Sequence, residues 1–119
     1  MPYFTLPITN QFLDVGSELR WRCEAEGPPT PSYTWLKNGE VLDNTTIPST
    51  DIGRVIVSNN WLIIKTVDAV KDDGMYQCMA TNQICRRYSF AQVKVLSKFK
   101  IIATTRYLKL INKTSLIHL

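Results

Sequence analysis

Histidine is nearly absent from this 119-residue sequence: His118 stands near its end, and residues 1–97 hold none. That removes the commonest general base and metal ligand from most of the chain. No glycine-rich phosphate loop, metal-ligand spacing or nucleophile motif is present among the five glycines and three cysteines. An enzyme is therefore not expected, and neither is a cofactor, a metal or a small-molecule substrate. No apolar run reaches the roughly 18–20 residues that span a bilayer. Met1-Pro2-Tyr3 opens no basic-then-apolar leader, so the chain reads as a piece of a longer secreted protein. Acidic residues are missing from 98 onwards, where Lys98, Lys100, Arg106, Lys109 and Lys113 stand alone. The formal charge of +4 thus belongs to the tail, because residues 1–97 carry nine bases against ten acids. Nucleic-acid binding needs bases clustered on a folded face, and is not expected.

What is present is strand periodicity. Leu19, Trp21, Cys23 and Ala25 alternate with Arg20, Arg22, Glu24 and Glu26, the pattern of a strand with one buried face. Gly27-Pro28-Pro29 breaks that run, and Tyr33 to Lys37 resumes it before Asn38-Gly39, a strong hairpin signal. A short strand near Glu40–Leu42 follows, then a polar loop from Asp43 to Asp51. Val55-Ile56-Val57, Trp61–Lys65, Met75–Thr81 and Phe90–Leu96 read as further strands. Pro7 and Thr9-Asn10-Gln11 interrupt the first strand, which suits an edge strand that switches sheets. The length suits one domain, placed at 1–97. Residues 98–119 read as a basic tail, disordered or not native to the domain, such as intron read-through. Rival readings are a splice-variant end and a membrane-surface segment.

Cys23 and Cys78 lie 55 positions apart, with Trp35 twelve residues after the first and Tyr76 two before the second. This is the frame of an immunoglobulin-type β-sandwich: all-β, Greek key, two antiparallel sheets. In that frame the two cysteines face inward and a disulfide would tie the sheets; two buried reduced thiols are the alternative. Asp72-x-Gly74-x-Tyr76-x-Cys78 reads as a corner, with the tyrosine hydroxyl bonding back to the backbone. Trp35 and Leu62 are expected in the core. Trp21 shares the inward face of Cys23 and is read as core too. Trp61 lies on the face opposite Leu62 and Ile64, so it is a candidate interface anchor against local packing at the sheet edge. Arg86-Arg87, read as a loop pair, are a second candidate contact, for an acidic partner or a sulfated glycan, against a merely solvated pair. Cys85 is an unpaired thiol in the last hairpin. Asn44-Thr45-Thr46 is an N-glycosylation sequon, and Asn112 begins another if the tail is real.

Trp35-Leu36-Lys37-Asn38-Gly39, Leu62-x-Ile64 and Asp72 to Asn82 resemble I-set immunoglobulin domains of neural and junctional adhesion molecules. Val15 to Cys23, Gly74 to Cys78 and Tyr88 to Leu96 are similar to the fourth immunoglobulin domain of contactins, invertebrate ones in particular. The likeness covers residues 3–97, and Trp21 is its most diagnostic residue. It implies a parent with several immunoglobulin and fibronectin type III domains, anchored to the outer membrane face by glycosylphosphatidylinositol. It also implies a horseshoe in which the fourth immunoglobulin domain packs on the first. Its implied partners are other immunoglobulin domains of the same chain and neurexin-type and neuroglian-type proteins. Cys85 departs from the pattern, standing where many I-set domains have a glycine. Two other readings stay open: an intracellular I-set domain of a muscle or cytoskeletal scaffold, and a receptor or immune-type ectodomain.

Overall fold

Alternation of apolar and polar residues, punctuated by Pro, Gly and Asn turns, makes the chain a succession of short strands. The structure, a computed structural model, describes residues 1–96. The basic tail and its sequon at Asn112 lie outside the described residues. The strands are β1 (Tyr3–Leu6), β2 (Gln11–Asp14), β3 (Leu19–Arg22), β4 (Glu24–Glu26), β5 (Ser32–Lys37) and β6 (Glu40–Leu42). After a single 3-10 turn at Ser49–Asp51 come β7 (Val55–Ser58), β8 (Trp61–Ile64), β9 (Gly74–Thr81) and β10 (Arg86–Leu96).

One sheet has the order β2-β10-β9-β5-β6. The other comprises β3-β8-β7 and the pair β1-β4. Cys23 alone separates β3 from β4, and its N–H donates to the Asn60 carbonyl, so the two ladders continue one layer. The chain crosses between layers from β4 to β5, from β6 to β7 and from β8 to β9, which gives the Greek-key path. The interrupted first strand does switch sheets: β1 pairs antiparallel with β4, while β2 pairs parallel with β10, Phe12 opposite Lys94. Asn38 and Gly39 both take positive φ (51° and 82°), the requirement of the tight β5–β6 hairpin.

The inner faces meet in a core of Leu19, Trp21, Leu62 and Ile64 from one sheet and Trp35, Tyr76, Val93 and Val95 from the other. Cys23 and Cys78 are bonded across it with Cα atoms 6.5 Å apart. The sequence reading places the start of the last strand at Phe90, but β10 begins four residues earlier. Arg86 pairs with Thr81 and Arg87 with Ala80, so these arginines belong to a strand and not to a loop. Apolar alternation is silent there because the strand ends are solvated on both faces; backbone pairing alone carries the ladder outward.

Candidate protein-binding surface

Trp35 is the cross-strand neighbour of Cys78, and its Nε1 donates to the Asn59 carbonyl at 3.0 Å. Trp21 lies parallel to it, ring centroids 6.2 Å apart, and meets Tyr76 edge-on at 5.4 Å. Three aromatic rings thus pack beside the disulfide, with the Trp21 Nε1 lacking a partner among the described residues. Leu62 is fully buried in the same core. Such packing fixes the two sheets and leaves nothing of these rings for a ligand.

The corner is built around Asp72, whose side chain is 3% exposed. Tyr76 donates its hydroxyl to the Asp72 carbonyl at 2.9 Å, and burial raises the phenol pKa, helped by the Asp72 charge. Arg54 donates to both Asp72 oxygens, at 2.6 and 3.2 Å, and to Asp51 Oδ1 at 3.1 and 3.2 Å. Burial alone would raise the Asp51 carboxyl. Hydrogen bonding and charge from Arg54, with Lys71 behind it, outweigh burial and hold it below the usual carboxylate range. Arg54 is a residue the sequence reading misses: its buried partner Asp72 is 18 positions away, and no local motif joins them. Gly74 follows because a Cβ there would come within 2.8 Å of the Asn38 side chain, which accepts the Met75 N–H. These charges satisfy one another, so the cluster is a structural tie and not reactive machinery.

Trp61 lies on the outer face of β8, half-buried between the guanidinium groups of Arg20 (5.9 Å) and Arg22 (5.8 Å). Those arginines pair with Glu18 and Glu24, so the indole is clad by its own sheet. Arg86 and Arg87 are exposed at the start of β10, on the opposite sheet, so these candidates do not form one site with Trp61. Cys85 is partly exposed in the turn before them, where Asn82 Oδ1 accepts the N–H groups of Ile84 and Cys85. Asn44 is exposed in the turn after β6.

A more continuous apolar surface stands on the outer face of the five-stranded sheet. Phe90 is 57% exposed and its ring lies 6.0 Å from Tyr88, two residues along β10. Cross-strand register sets Met79 beside Tyr88, Gln77 beside Phe90, Leu36 beside Gln77, and Val41 beside Leu36. Phe12, at 69% exposure, stands on the same face at the β2 edge, beside Lys94 and apart from Phe90. The signal was in the sequence: Ser89, Ala91, Val93 and Val95 fill the inner face, so Tyr88 and Phe90 must point out. Exposed aromatics grouped on one sheet face make it a candidate surface for contact with another macromolecule.

The immunoglobulin domain family matches residues 1–82. Contactin of Drosophila melanogaster is 43% identical over 96 residues, covering 81% of this chain and 7% of that protein. Contactin-5 of Gallus gallus is 38% identical over 96 residues, covering 81% and 9%. The chain therefore spans under a tenth of the length of these curated relatives. Among solved structures, titin domains Z1Z2 in complex with telethonin superpose with a TM-score of 0.70 at 27% identity, covering 82% of this chain and 48% of that one. The match to the family, the oxidised Cys23–Cys78 pair and the two-sheet core agree, and the chain belongs to the immunoglobulin domain family as a contactin-like domain.

Proposed function

We propose that this chain is an extracellular adhesion and recognition module of a contactin-like multi-domain protein, acting by protein–protein binding at cell–cell contacts. The observation that carries the reading is the outer face of the five-stranded sheet, where Phe90, Tyr88 and Phe12 stand exposed on a rigid β support. Rigid aromatics bury much area at small entropic cost, which is what an interface anchor needs. The disulfide supports an oxidising compartment. The contactin relatives support a parent at the outer cell surface; the resemblance of Val15 to Cys23, Gly74 to Cys78 and Tyr88 to Leu96 to the fourth immunoglobulin domain of contactins suggests that place within it. Partners are then other immunoglobulin domains of the parent and neurexin-type or neuroglian-type proteins. Trp61, clad by arginines, is a secondary contact.

The test is binding of the secreted chain to the first immunoglobulin domain of the parent and to neurexin-type and neuroglian-type ectodomains. Tyr88→Ser with Phe90→Ser should weaken the interaction tenfold or more, on the order of a hot-spot loss. Trp61→Ala should change it by about twofold or less. The reverse pattern moves the binding surface to the other sheet. The titin likeness favours one other reading, an intracellular scaffold domain. Intact mass before and after reduction separates the two, because a cytosolic domain keeps Cys23 and Cys78 as thiols.

A further inference from the structure

Asn44 does more than head a sequon. Together with Ile47, Ile52, Gly53, Val55 and Ile56 it lines a shallow groove between the turn after β6 and the start of β7. Ile52 is 76% exposed there, and Ile47 and Ile56 are half-buried, so the floor and far wall are aliphatic. The rim is ordered. Asp43 Oδ1 accepts the Thr45 hydroxyl at 2.6 Å and its N–H at 2.8 Å, while Thr46 Oγ1 accepts the Asp43 N–H at 2.9 Å. The Asn44 side chain is left exposed at the lip.

We propose that Asn44 carries an N-linked oligosaccharide and that its first N-acetylglucosamine lies in this groove, its C–H face against Ile52 and Ile56. The occupant is fixed by attachment: the groove begins at the acceptor residue itself. In the transfer, the Asn44 amide nitrogen bonds to C1 of the first sugar of a lipid-pyrophosphate-linked oligosaccharide. The C1–oxygen bond to the lipid pyrophosphate breaks, and the amide proton leaves with that group. The inference rests on the extracellular reading, since only the secretory route supplies this donor. It goes beyond that reading in assigning the sugar a packing role. It also positions the glycan on the edge formed by β6 and β7, the last strands of both sheets, away from β2.

The experiment secretes the whole chain from a eukaryotic host, with Asn112→Gln throughout so that one sequon remains. Peptide mapping should find glycan at Asn44 in the otherwise native chain and in Thr46→Ser, and none in Asn44→Gln or Thr46→Ala. Trimming to the single first sugar should leave Tm unchanged, whereas Asn44→Gln should lower it by about 4 °C, the scale expected for covering part of one isoleucine in a domain of this size. In Ile52→Ser that difference should fall by at least half. A secreted, disulfide-bonded chain with Asn44 unmodified overturns the site while leaving the extracellular reading standing. A glycan whose removal shifts Tm equally with and without Ile52 overturns the groove. Failure to form the disulfide in this host overturns both the extracellular reading and the site.

Discussion

Arg54 is the residue on which the corner depends most. Its guanidinium joins Asp51, Asp72 and the Thr66 carbonyl, and nothing else in the described residues neutralises the buried Asp72 carboxylate so closely. Arg54→Met should cost about 3–5 kcal/mol, the usual penalty for leaving a buried charge unpaired, read as a lowered denaturant midpoint at unchanged slope. The neighbouring Arg54–Asp51 pair predicts an acid dependence. Asp51 has its folded pKa below the unfolded value, so its contribution is fully present above about pH 3.9 and is lost as pH falls through the lower folded value. Tm measured from pH 7 to pH 2 should drop on that limb, and less steeply in Arg54→Met. Asp72, Gly74 and Tyr76 were legible in the sequence because their spacing is local. Arg54 was not, because 18 residues and a change of sheet separate it from its partner.

At the scale of elements, hairpins and edges decide the register. Gly74→Ala opens β9 with a methyl group where the Asn38 amide stands, so Asn38 must leave and the Met75 N–H loses its acceptor. The expected loss is about 1–3 kcal/mol, checked by urea unfolding, with hydrogen exchange at Met75 rising in step. The Asn38-Gly39 hairpin and the sheet-switching first strand were readable, since each rests on turn chemistry or on proline. The true start of β10 was not, because polar strand ends carry no period. The aromatic outer face went unmarked for a related reason. Alternation along β10 already turns Phe90 outward, but that Met79, Leu36 and Val41 share its face follows only once β9, β5 and β6 are set beside it.

For the whole molecule the largest single constraint is the covalent loop from Cys23 to Cys78. Replacing both cysteines, Cys23→Ala with Cys78→Val, should destabilise by about 4 kcal/mol on the chain-entropy estimate for this loop, or abolish folding at 37 °C, followed by circular dichroism on heating. The two-sheet architecture was legible from the cysteine and tryptophan spacing, which reports the core alone. Surfaces were less so, because exposed residues answer to partners that the sequence does not contain.

The parallel pairing of β2 with β10 has a mechanical meaning. A pull on the two ends of the chain drags these neighbours in opposite directions along their length, so their hydrogen bonds, including Val15 N–H to the Leu96 carbonyl, are loaded together in shear. They do not open one by one like a zip. Once they part, the disulfide keeps the segment between Cys23 and Cys78 closed, so only the flanking stretches can be drawn out. A domain so wired would bear tension along the chain as a short, stiff link.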